Sequence, residues 1–273
     1  MSNRCVSFIL AAALGASAHN AGAEARDQAA DHATTGRSID TAAACAGLPT
    51  HDALRTALGH ARGQTNGGFD LDMWAAVVNR DGIVCAVAFT GGDRGSQWPG
   101  SRVIAAQKAN TANAFSLPGL ALSTANLWAA VQPGGSLFGL QESNPVSTNV
   151  AYTGPAASFG QAGDPMVGQR IGGVNVFGGG LALYNENHQI VGAIGVSGDT
   201  SCADHNIAWR TRQELALDWV PNGVSAKGDD NINYQGLVDV PSLANDFSHP
   251  ICTIAGEDLV SPISAALPPV RKE

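Results

Sequence analysis

The sequence predicts an α+β fold in which a central antiparallel sheet is built from two hairpins with helices packed on it. Three observations carry this. Residues 73–79 and 83–89 are apolar runs joined at Arg80-Asp81-Gly82, and Asp-Gly between apolar runs is a strong short-range hairpin signal. Residues 171–199 hold a second pair of apolar runs joined at Asn185-Glu186-Asn187-His188. The exits of the two pairs echo each other, IVCAVAFTGGD against IVGAIGVSGD, and each precedes a helical stretch. Because the hairpins repeat and no linker separates them, one domain is expected.

Taken in order, residues 1–23 carry Arg4, an apolar run and then small residues ending Ala21-Gly22-Ala23. This is the layout of a secretory signal peptide, so a periplasmic or secreted protein without a membrane anchor is expected. Without that segment the chain has 14 Lys and Arg against 23 Asp and Glu. An acidic surface of this kind argues against nucleic acid and anionic membranes as partners. Residues 24–44 are polar and alanine-rich, and read as a mobile arm.

Four cysteines remain beyond the signal segment: Cys45, Cys85, Cys202 and Cys252. An even number in an exported chain favours disulfides. Cys252 lies in a Pro-, Asn- and Gly-rich tail that otherwise has little to hold it, so Cys202 is paired with Cys252, leaving Cys45 with Cys85.

The first helix is predicted from Thr50, a good N-cap, to near Gly63, with Leu54, Ala57, Leu58 and Ala61 as its apolar stripe. His51 lies closer to that stripe than His60 does, so it is the better candidate for a pocket, beside the plain reading of a surface histidine. After the first hairpin, residues 90–100 form a turn-rich loop carrying Asp93, Arg94 and Trp98. Such a loop reads either as a pocket rim or as a solvated connection.

The second helix is predicted over residues 102–115 with Ser101 as its cap. Ala105, Ala109 and Ala112 form a small-residue face. Beside it Ile104, Lys108, Thr111 and Phe115 share a stripe, which sets a lysine among apolar side chains. A buried ammonium must be paired. Lys108 therefore binds an anionic ligand, pairs with a nearby acid, or snorkels to water.

A short apolar helix over residues 123–131 follows, then Gln132-Pro-Gly-Gly135 and an irregular insertion over residues 141–169. Gly178, Gly179 and Gly180 open the second hairpin. Glycines at that density weaken a strand unless a backbone or a flat ligand approaches closely, so they are read as one wall of a pocket. The last helix is predicted over residues 202–219, with Asp204 in its first turn, where the helix dipole favours an acid, and His205 beside it. From residue 221 to 273 no periodicity is visible, and this extension is expected to wrap the domain of residues 45–220.

Several chemistries are missing from the sequence. Gly195-Val-Ser197-Gly198-Asp199 fails the Gly-x-Ser-x-Gly nucleophile pattern at its last position. No phosphate loop, dinucleotide fingerprint, HExxH or CxxC motif occurs.

Four segments in this order, Ser101-x6-Lys108-Ala109-x-Thr111-Ala112-x2-Phe115, Gln132-Pro-Gly-Gly135, Gly178-Gly-Gly-Leu-Ala-Leu183 and Val191-Gly-Ala-Ile-Gly-Val-Ser-Gly198, resemble the GlcG/HbpS family of haem-binding proteins over about residues 50–218. The resemblance implies a profilin-like α/β sandwich, a homo-oligomer, and haem as cofactor in sensing, storage or handling of haem and iron. A related domain joined to a corrinoid adenosyltransferase makes a cobalamin-like tetrapyrrole a second ligand. On this reading Arg94, Arg102 and Lys108 are the propionate candidates. The glycines Gly178, Gly179 and Gly180 are the close wall, and His51, Thr111 and His205 the candidate iron ligands. The alternative is an enzyme acting on a small organic acid, with Lys108 and either Asp93 or Asp204 as its catalytic pair.

Overall fold

The computed structural model describes residues 39–235 and 246–272. The predicted signal peptide and residues 24–38 of the predicted arm lie outside them. Four strands form one antiparallel sheet: β1 (Trp74–Asn79), β2 (Val84–Phe89), β3 (Gly180–Tyr184) and β4 (Ile190–Ser197), in the order β2-β1-β4-β3. The two hairpins meet at the centre, where Trp74 pairs with Ser197 and Val78 with Ala193. At the first turn the Asn79 side chain accepts the N–H groups of Asp81 and Ile83, and Gly82 takes a φ of 74° that suits glycine. At the second turn Asn185 accepts from Asn187 and Gln189 in the same way.

Helix α1 (His51–Arg62) is capped by Thr50, whose hydroxyl accepts from Ala53. Helix α2 (Ser101–Phe115) starts one residue earlier than expected; Gly100 is its N-cap and Ser101 its first helical residue. Helix α3 (Ser201–Glu214) is capped by Thr200 and stops five residues before the predicted end. The reason is a better partner for the chain: Tyr184 donates to the Leu217 carbonyl and Trp219 to the Tyr184 carbonyl, so residues 217–219 run beside β3 instead of continuing the helix. The apolar stretch after α2 forms two turns of 3-10 helix, Thr124–Leu127 and Ala129–Val131, where one short helix was expected.

Strand alternation sorts the core into two layers. Ala75, Val77, Ile194 and Val196 face α1 and α3, together with Leu54, Leu58 and Ile207. Trp74, Ala76, Val78 and Ala193 face α2 with Val103, Ala105 and Ala109. The small face of α2 lets it approach the sheet closely: a Cβ at Gly195 would lie 1.9 Å from the Ala105 carbonyl oxygen. Any side chain there would push α2 off the sheet.

The disulfides are Cys45 to Cys85 and Cys202 to Cys252, the pairing argued above. The first ties a short helix, Thr41–Ala44, to β2. Asn79 adds a hydrogen bond to the Ala44 carbonyl, so residues 40–44 of the predicted mobile arm are seated on the core. The tail wraps the domain with a two-residue parallel ladder, Asn233–Tyr234 beside Ser248–His249, and a helical turn, Ser261–Ala265. No helix among the described residues is long and apolar enough to cross a membrane.

Candidate functional site

Two cavities flank the first turns of α2. The larger, about 670 Å³, is lined by Trp74, Arg94, Pro99, Arg102, Tyr152 and Phe159 among others. It lies between the loop after β2 and the insertion. The smaller, about 280 Å³, is lined by Trp98, Lys108, Phe177, Ser201 and Asp204 among others. Each contains residues singled out in the sequence, and the two cavities divide them.

In the larger cavity Arg94 is exposed and has no ion-pair partner among the described residues. Arg102 differs in kind. It is 2% exposed and forks onto Asp164, with Nε 2.8 Å from Oδ2 and Nη2 on Oδ1, while Nη1 donates to the Ala151 carbonyl at 2.7 Å. The Phe159 ring lies 3.7 Å from the guanidinium carbon. All of these partners belong to the insertion, so Arg102 pins residues 151–164 against α2 and is not free for a ligand carboxylate. This corrects its assignment as a propionate group. Asp164 also accepts from the Gly160 and Met166 amides, which makes it the hub of the insertion.

Three groups on this cavity's wall lack partners or shelter. Tyr152 is 64% exposed, and its phenol makes no hydrogen bond within the described residues. The Trp74 side chain is buried and its indole N–H has no acceptor there. With Arg94 they give the cavity a cation, a phenol and a lone buried donor on otherwise aromatic and apolar walls. Tyr152 sits in the insertion, which the sequence marked as irregular without giving any residue in it a role. A lone aromatic ring in the run Val150-Ala151-Tyr152-Thr153-Gly154 was the one available signal.

In the smaller cavity the Lys108 ammonium lies 2.7 Å from Asp204 and donates to the Val196 carbonyl at 3.0 Å. Lys108 is 1% exposed. Burial lowers the ammonium below the ordinary lysine value although Asp204 opposes the shift. Burial likewise lifts the Asp204 carboxyl to about 6, against the pull of Lys108 and of the Asp199 amide that donates to it. The pair ties α2 to α3 across the end of β4. Of the two acids proposed as partners for Lys108, Asp204 is the one; Asp93 organises its own turn with Gly95 and Ser96.

The other sequence candidates lie elsewhere. His51 lines a third cavity of about 540 Å³ beside the Cys45–Cys85 bond. Its ring nitrogens lie 2.9 Å from Asp52 and 3.0 Å from the Gly160 carbonyl, so protein groups occupy both. Thr111 is fully buried; its hydroxyl donates to Gln107 and accepts from the Asn175 amide. His205 is also fully buried, held at Nε2 by Asn231 at 3.2 Å. Burial and the nearby Arg212 charge push its pKa down to about 3. Both ring nitrogens of His51 and the Thr111 hydroxyl are thus engaged by the protein, while His205, whose Nδ1 has no partner among the described residues, is fully buried and lines neither cavity on α2.

The glycine wall is also filled by the protein. A Cβ at Gly178 would lie 2.4 Å from the Ser201 carbonyl, at Gly179 2.3 Å from the Val196 carbonyl, and at Gly180 2.4 Å from Thr124. The close approach that the glycines signalled is made by the start of α3, by β4 and by Thr124, where a flat ligand was expected.

No curated protein matches the chain. Among solved structures, Klebsiella pneumoniae protein ORFY is 24% identical, with 61% of this chain and 90% of that one covered at a TM-score of 0.41. The PduOC:heme complex is 22% identical, with 61% and 94% covered at 0.42. A double mutant of Streptomyces reticuli HbpS is 18% identical, with 60% and 85% covered at 0.38. The family model described as "Haem degrading protein HbpS-like" matches residues 50–212, well over half of the sequence, and on that match the chain belongs to the HbpS-like family.

Proposed function

We propose that this protein binds haem in the larger cavity and serves in the sensing, storage or handling of haem and iron outside the cytoplasm. Family membership supplies the ligand class. The observation that carries the location is the roughly 670 Å³ cavity with Arg94, Tyr152 and the unpaired Trp74 N–H on its wall. Pockets for flat organic ligands are of this size, mostly apolar, with a few placed polar groups. Arg94 would pair a propionate. Tyr152 would offer iron a phenolic oxygen, a ligand type that haem proteins use. Phe159 and Trp74 would supply apolar wall, and Arg102 with Asp164 would hold that wall in place.

The layout of residues 1–23 supports export. The exposed Trp98 and Phe177 rings around the smaller cavity, 54% and 48% accessible, favour a self-association surface in a homo-oligomer. Lys108 and Asp204 satisfy each other, which leaves the organic-acid enzyme without a free catalytic pair.

Adding hemin to the purified protein tests the reading by visible absorbance. A Soret shift that saturates near one haem per chain is expected. An unshifted spectrum, or a shift that is unchanged in Arg94→Ala, Tyr152→Phe and their double variant, would refute binding at this cavity.

A further inference from the structure

Behind Ser201 on the rim of the smaller cavity, Cys202, Cys252 and His249 bring two Sγ atoms and a ring nitrogen within 4.8 Å of one another. Cys202 and His249 are buried and Cys252 is half-buried. The sulfurs are joined as a disulfide.

The histidine is fixed at both nitrogens. Nε2 lies 2.8 Å from the Ser201 hydroxyl and Nδ1 2.7 Å from the Pro250 carbonyl. A carbonyl only accepts, so Nδ1 carries the proton and Nε2 takes the serine hydrogen bond, which defines a neutral imidazole. Whichever nitrogen met a metal, the other would keep a hydrogen-bond partner, and such a partner orients metal-bound imidazoles. Trp128 packs beside the ring, with centroids 5.9 Å apart.

The sulfurs have a matching environment. Cys202 is the second residue of a 14-residue helix, and its amide lies 3.2 Å from Cys252 Sγ. Helix N-terminal amides stabilise negative charge and lower thiol pKa values. Opening this bond would thus yield thiolates held by a helix start, beside a neutral histidine and a serine hydroxyl.

We propose that reduction of the Cys202–Cys252 disulfide converts this corner into a Cys2His site for one soft or borderline cation, Zn²⁺ or Cu⁺. A dithiol reductant supplies two electrons and two protons and is itself oxidised to a disulfide, and two thiols form. The metal then displaces the two thiol protons and binds both sulfurs and the imidazole. A water or the Ser201 hydroxyl completes four-coordination, the arrangement that Zn²⁺ favours with such ligands. Because the same sulfurs cannot be both paired and ligating, the thiol poise of the surroundings sets metal retention.

Cobalt(II) reports on the site. Full-length protein reduced without oxygen is titrated with Co²⁺ while circular dichroism monitors the fold. Expected are thiolate-to-cobalt charge-transfer and tetrahedral d–d bands, saturating near one ion per chain, displaced by Zn²⁺ and absent from the oxidised protein. Cys202→Ser with Cys252→Ser should abolish the bands although Cys45 and Cys85 remain. His249→Gln should weaken binding by more than the roughly 10- to 100-fold that loss of a group merely supporting a ligand costs. The proposal is overturned if the reduced protein gives no bands, if the double serine variant keeps them, if His249→Gln binds equally, or if the reduced chain unfolds with Co²⁺ present.

Discussion

Arg102 and Asp164 form a buried two-point ion pair, Nε to Oδ2 at 2.8 Å with Nη2 on Oδ1, that joins α2 to the insertion across the floor of the larger cavity. Removing one member of such a pair leaves the other charge buried and uncompensated. Arg102→Ala is therefore expected to cost about 3–5 kcal/mol. The measurement is chemical denaturation with and without hemin. Loss of stability below about 1 kcal/mol would mean that the insertion holds itself.

Lys108 and Asp204 behave as a structural pair, so Lys108→Ala should lower stability by a similar amount, roughly 3–5 kcal/mol. Hemin affinity of the folded variant should stay within about twofold of the parent. A loss of about tenfold or more at unchanged melting temperature would return Lys108 to the ligand site.

Arg94 is exposed and lacks an ion-pair partner among the described residues, so its replacement separates binding from folding. Arg94→Ala should leave the melting temperature unchanged while removing a charge-assisted contact worth about 1.5–3 kcal/mol, or about 10- to 150-fold in hemin affinity. Tyr152→Phe should change the visible bands of the complex, because it removes an oxygen and keeps the ring. Unaltered bands would exclude the phenol as an iron ligand.

His205 and His249 make the fold acid-sensitive. Burial holds their pKa values down to about 3 and about 4, from an ordinary 6.5. As pH falls below 6.5 the unfolded chain takes up these protons and the folded chain does not. The stabilisation is thus complete above 6.5 and is lost as pH falls towards about 4 for His249 and about 3 for His205. Between pH 6.5 and 5 each histidine should remove up to about 2 kcal/mol. Melting curves across this range should flatten in His205→Gln, and an unchanged slope would show that its proton plays no part.

What the sequence revealed follows the range of the interactions. Both hairpins were legible because Asn79, Gly82 and Asn185 settle their turns within a few residues. The odd position of Lys108 was legible from helical spacing, yet its partner was left between two acids. Periodicity gives a face and no partner. His51 could not be discounted without Gly160, 109 residues away. Arg102 similarly needed Asp164, which sits where no periodicity exists. The glycines signalled close approach correctly, but only the fold shows that the start of α3, β4 and Thr124 make it.

The pairing of β1 with β4 at the centre of the sheet has a consequence for the order of folding. Trp74 meets Ser197 across the whole of α2 and the insertion, so this ladder closes a long loop and should form slowly. During synthesis the first hairpin emerges with one long edge unmet, and an open edge invites pairing with another chain. The Cys45–Cys85 bond closes a 40-residue separation on the N-terminal side of this delay, and Cys202–Cys252 a 50-residue one on the far side. Each half of the molecule can therefore be cross-linked without waiting for the other, because Cys45 and Cys85 precede Cys202 and Cys252 along the chain and each native pair is made of consecutive cysteines.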